Sequence, residues 1–224
     1  MTSDVIPQRH PNAALYCDLM EYIKWRIDEV SKTIALINRQ EHYLSNRAAA
    51  EFCLLQLRMV CELLAMGCIA VHIDVPKATK LHGEWNAHEI MKKLERLKPE
   101  YFPAAITETG HDTPDDPFEH HPKTGAISQK ELLKSYHFFG GQLHTGTFSR
   151  YLLREAQSYD FSIIVAFVDK IVSLLNVHTY TLYGNKKLVR VIMRNQSDGR
   201  VWWNELELTD LSNVTPKGEA ARPH

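Results

Sequence analysis

The residues best placed to do chemistry lie in two short stretches. In EFCLLQLRMVCELLAMGCIAV (51–71) apolar side chains fill almost every position, and Arg58 and Glu62 stand four residues apart among them. On a helix that spacing puts both charges on one face, one turn apart. A lone buried charge is costly, so two readings are open. Either the pair satisfies itself and fixes helix register, or it lines a polar pocket where a low dielectric strengthens an arginine's hold on a phosphate or carboxylate. The second stretch, YHFFGGQLHTG (136–146), sets Tyr136, Gly140 and His144 successively four apart. On a continuous helix the tyrosine and histidine bracket a notch where glycine admits a backbone or a ligand. Histidine near neutral pH can act as acid, base or ligand. The alternative is a small-residue packing site with a hydrogen-bonded histidine.

Other candidates are weaker. His111, Asp112, Asp115, Asp116, Glu119, His120 and His121 offer imidazole and oxygen donors, but their spacing matches neither H-E-x-x-H nor an EF-hand loop. A solvated acidic loop is the simpler reading, and no metal or cofactor is expected. His178 follows an apolar helix and is placed to cap its C-terminus, where a partly positive imidazole suits the helix dipole. Cys17, Cys53, Cys61 and Cys68 show neither C-x-x-C nor zinc-finger spacing, so they read as small core residues of a reducing compartment. Walker, dinucleotide, G-x-S-x-G and zinc-protease motifs are all missing.

These side chains must be carried by helices. Residues 12–39 show an apolar stripe in steps of three and four, and 51–71 form a second, almost wholly apolar helix, with Ser45 or Asn46 as its N-cap. The two make an antiparallel hairpin. A short helix over 85–98 is signalled by Asn86 with Glu89, and Ser128 with Glu131 opens the helix that carries Tyr136 and His144. A further apolar helix runs from about 160 to 177. Between them, 99–125 is rich in Pro, Asp, Thr and Gly and reads as a long loop, a lid or an insertion. At the C-terminus, HTYTLYG, KLVRVIMR and RVWWNELEL are separated by good turn residues and predict a three-stranded meander. Adjacent Trp202 and Trp203 must face opposite sides of it.

The 224 residues carry 26 basic and 27 acidic side chains, so bulk charge does not advertise nucleic acid. The N-terminus lacks a basic-then-apolar signal pattern, and Arg58 and Glu62 interrupt the one long apolar run. A soluble, cytoplasmic protein is expected.

The order LQLRMVCELLAMGCIAVH, YHFFGGQLH, KIVSLLNVHTYTL and the strands after it resembles an uncharacterised bacterial helical protein family over most of 45–205. A helical bundle with a Tyr-led histidine motif is also similar, more distantly, to HEPN-like proteins. These often dimerise, serve in toxin and defence systems, and in many branches cleave RNA. Their catalytic members carry Arg shortly before His on one helix, whereas no arginine precedes His144 on its helix. The resemblance therefore implies Arg58, oriented by Glu62, steadying a phosphate from another helix while His144 moves a proton on a ribose 2′-hydroxyl.

The expectation is a mainly α fold: a helical bundle on a long hairpin over 1–177, with a loop at 99–125. A small C-terminal antiparallel β-meander at 178–210 would pack on it, followed by a disordered tail at 211–224. The expected function is a non-catalytic binding or assembly protein, a homodimer, with Arg58, Tyr136, His144 and His178 around a small anion or nucleotide. The competing expectation is a metal-independent ribonuclease using His144, Arg58 and Glu62.

Overall fold

The structure is a computed structural model that describes residues 10–41, 44–109, 119–144, 159–184 and 187–207. The expected tail at 211–224 lies outside them, as do 110–118 of the expected loop and Thr145.

Local chemistry sets the helices. Helix α1 (Ala13–Asn38) buries Tyr16, Met20, Ile23, Ile27 and Val30 along one stripe. The next helix, α2 (Asn46–Val71), starts where the Ser45 side chain accepts the Ala48 amide, and its buried residues include Cys53, Cys61 and Cys68. The two pack tightly at Gly67, where a β-carbon would sit 3.0 Å from Met20 and 3.1 Å from Tyr16. Asn86 caps α3 (Ala87–Leu97) and a complete Ser128/Glu131 capping box opens α4 (Gln129–Leu143). Asp160 caps α5 (Phe161–Leu175). Among the described residues α2 alone is long and apolar enough to cross a membrane, and 67% of that window is buried inside the protein.

The sheet overturns the mainly α expectation. Five strands, β1 (Ala104–Thr109), β2 (Glu119–Pro122), β3 (Val177–Thr181), β4 (Lys187–Ile192) and β5 (Trp202–Glu207), form one antiparallel sheet in the order β2-β1-β3-β4-β5. The fold is mixed α/β, and the C-terminal meander is three fifths of a larger sheet. The residues read as a loop at 99–125 supply the other two strands. β1 pairs with β2 along Ile106–Thr109 and joins the larger sheet because Ala104 and Ala105 pair with Thr179 and His178, a partnership no local pattern announces. The inner face carries the buried row Ala105, His178, Val191 and Trp203, with Tyr16 of α1 against His178 and Trp203. Trp203 is buried and Trp202 exposed, as strand alternation requires.

Candidate functional site

Arg58 sits at the centre of a polar seam between α2 and α4. Its Nη2 donates to the Tyr136 hydroxyl at 3.0 Å, its Nε lies 3.3 Å from Glu62 Oε1, and the Tyr136 hydroxyl donates to that same oxygen at 3.3 Å. The guanidinium carbon stands 4.4 Å from the centre of the Tyr136 ring, a cation–π contact. Burial raises the Tyr136 pKa, although the nearby Arg58 charge opposes it, so the phenol stays a donor. Glu62 meets Tyr136 while Arg58, earlier in α2, meets Gly140, later in α4, so the two helices run in opposite directions.

Gly140 does form a notch, and Arg58 fills it. A β-carbon there would lie 2.1 Å from Nη1. The Arg58 and Glu62 side chains keep 25% and 20% of their surface, so the seam touches solvent. The pair satisfies itself, as the first reading has it, and both side chains remain partly open to solvent.

Sequence reasoning missed Arg26. It interrupts the α1 stripe between Ile23 and Ile27, and its Nη1 donates to Gln56 Oε1 on α2 at 2.5 Å. Its Nε is buried and makes no hydrogen bond. Burial lowers the Arg26 pKa while the Glu62 carboxylate partly restores it. Two guanidiniums thus stand in the field of one carboxylate. A basic residue inside an apolar stripe was the only available signal.

His144 is the C-cap of α4 and is exposed. It lies one helical turn beyond Gly140, about 6 Å along the axis. No hydrogen bond or ion pair joins it to Arg58 or Glu62.

His178 belongs elsewhere. It lies in β3, fully buried; its Nδ1 bonds the Leu175 carbonyl at 2.8 Å, so Nδ1 carries the proton and donates it. Its Nε2 then accepts from the Tyr16 hydroxyl at 2.6 Å. The Tyr16 and Tyr180 hydroxyls are 3.2 Å apart, and Cys68 Sγ is 3.8 Å from Tyr180. The expected cap bond to α5 is present, but burial holds the imidazole neutral, with a pKa lowered to about 4. His178 is a core residue remote from the Arg58 seam in its bonding, and not one of its ligand contacts. His72 is similar: buried, 3.0 Å from the Tyr101 carbonyl, its pKa pushed down to about 4 by burial.

Of the histidine-rich acidic set, His111, Asp112, Asp115 and Asp116 lie outside the described residues. Glu119, His120 and His121 are on β2, and His120 stands 3.5 Å from Glu108, which is itself paired with Arg190. Among the described residues no group of three or more His, Cys, Asp or Glu could hold a metal ion.

A cleft of about 400 Å³ opens between α4 and α5, walled by Ile127, Phe138, Ile163, Ala166 and Phe167, with Glu131, Lys134 and Lys170 at its edge. Phe138 and Ile163 are 38% and 41% exposed. No family model matches the chain, and no curated protein or solved structure shows significant similarity to it, so the seam and the cleft carry the functional reading on their own geometry.

Proposed function

We propose that the protein is a cytoplasmic, non-catalytic binding or assembly protein that works as a homodimer and holds a small anion or a nucleotide phosphate at the Arg26/Arg58 seam. One observation carries the reading: two partly buried guanidiniums share a single carboxylate, Glu62, and the Nε donor of Arg26 is unspent. An anion would restore the charge balance and take up donors the protein leaves over. The test is calorimetric titration with inorganic phosphate and with a nucleoside monophosphate, comparing wild type with Arg26→Gln. Binding weakened at least tenfold in the variant supports the reading; no binding to wild type ends it.

The second subunit would sit on the α4–α5 cleft. α5 is apolar on nearly every side, yet Ile163, Val165 and Val172 face outward. The edge carries both signs, Glu131 against Lys134 and Lys170, so a copy turned through a two-fold places acid opposite base. Light scattering should give twice the chain mass for wild type and the chain mass for Ile163→Glu.

The alternative, an HEPN-like metal-independent ribonuclease of a toxin or defence system, is favoured by one observation. His144 is open to solvent one turn from the glycine on which Arg58 lies. Cleavage of a mixed RNA pool in chelator by wild type, lost in a folded His144→Ala variant, would establish it.

A further inference from the structure

His88 and His137 lie outside the seam and join α3 to α4. His88 is in the first turn of α3, which Asn86 pins by accepting the amides of His88 and Glu89 at 3.0 and 3.3 Å. His137 follows Tyr136, whose phenol is held by Arg58 and Glu62. Both imidazoles therefore start from anchored backbone. His88 Nδ1 and His137 Nε2 are 3.1 Å apart, with ring centroids 5.0 Å apart and planes inclined at 59°.

That separation is the bite of a metal ion. With metal–nitrogen bonds of about 2.0–2.1 Å, two imidazole nitrogens stand about 2.9 Å apart at a right angle and about 3.4 Å apart at the tetrahedral angle. The observed 3.1 Å falls between the two. In the metal-free protein a hydrogen bond between the two imidazoles accounts for the distance. Each neutral ring owns one proton, and moving it to the outer nitrogen, Nε2 of His88 or Nδ1 of His137, frees both inner lone pairs without net proton loss. Imidazole suits zinc, nickel and copper, whereas magnesium and calcium take oxygen ligands.

We propose that His88 and His137 form a two-point site for a divalent zinc, nickel or copper ion, clamping α3 to α4. Among the described residues no third His, Cys, Asp or Glu completes a metal-holding group there. Water fills the remaining positions, and the exposed His137 gives the ion access. Such a site is exchangeable, unlike a sealed structural zinc centre. It depends on neither Arg26 nor a bound anion.

The test is titration of metal-stripped protein with zinc chloride, followed by calorimetry and thermal melting, and with copper(II), followed by electron paramagnetic resonance. Variants His88→Ala and His137→Ala are compared with His82→Ala, which removes an exposed histidine outside the pair. Wild type and His82→Ala should bind one exchangeable equivalent per chain, melt higher with zinc but not with magnesium, and show copper coupled to two nitrogens. Each paired variant should lose at least tenfold in affinity and the thermal gain. Should an alanine variant not fold, the corresponding glutamine variant replaces it. Absence of a stoichiometric equivalent, equal binding by all variants, or copper coupled to one nitrogen in wild type would overturn the site.

Discussion

Arg58 and Gly140 compete for one volume: Nη1 of the arginine lies 2.1 Å from where a β-carbon on the glycine would be. Glycine in a helix interior costs about 1 kcal/mol relative to alanine. Gly140→Ala recovers that propensity but drives the guanidinium off the Tyr136 ring. In wild type the two effects should nearly cancel. In an Arg58→Ala background the same change should stabilise by about 1 kcal/mol. A urea-denaturation double-mutant cycle reads the difference, and zero coupling would mean that Arg58 does not rest on Gly140 in solution.

Tyr136→Phe keeps the ring under Arg58 and removes the hydroxyl that bonds both Arg58 and Glu62. The expected loss is about 1–2 kcal/mol, mostly from polar groups left short of a partner. If the seam holds an anion, phosphate should recover more of that loss in Tyr136→Phe than in Arg26→Gln. Melting curves with and without phosphate make the comparison.

Gly67→Val should destabilise by about 2–3 kcal/mol, because the first added carbon would already lie 3.0 Å from Met20 and 3.1 Å from Tyr16 and the two methyls beyond it need further room. Displacing Tyr16 also breaks its bond to His178. The near-ultraviolet tyrosine spectrum should change along with the urea midpoint, and a wild-type midpoint would exclude the close α1–α2 approach.

Acid should unfold the protein through its buried histidines. His72 and His178 have folded pKa values lowered to about 4, against about 6.5 in the unfolded chain. Between those values the unfolded state binds more protons. The stability they contribute is thus complete above about pH 6.5, falls as pH drops toward 4, and is flat below. The full effect is on the order of 3 kcal/mol for each imidazole. Urea midpoints from pH 8 to pH 4 should show this slope, and His178→Gln should reduce it. A midpoint unchanged down to pH 5 would show that these rings are not sealed.

The helix starts were legible because their chemistry is local. Ser45, Asn86, and Ser128 with Glu131 each act within three residues, and each caps the helix expected of it. The sheet was only half legible. AAITET between prolines and acidic residues resembles a loop until β3 pairs with it, and that partner lies some seventy positions away. The site shows the same divide. Four-residue spacing placed Arg58 with Glu62 and Tyr136 with Gly140, whereas the helix ends before His144 and leaves it exposed, and only tertiary packing could set Arg58 into the glycine notch. Arg26 reaches the seam across α1 and α2, which its own neighbours in sequence do not foretell. His178 was placed at the C-terminus of α5, and it does bond the Leu175 carbonyl; the partly positive imidazole expected there is instead held neutral by burial in the core, which the local sequence does not show.

The pairing of Ala104 with Thr179 also orders events in time. β1 is an interior strand whose second neighbour is synthesised after nearly the whole helical layer. A chain emerging from the ribosome can close the α1–α2 hairpin early, since its contacts span short loops. It must then wait for β3 while β1 presents an unsatisfied backbone edge. The sheet is thus the last part to assemble, and a fragment ending before Val177 would expose the edge most prone to pair with other chains.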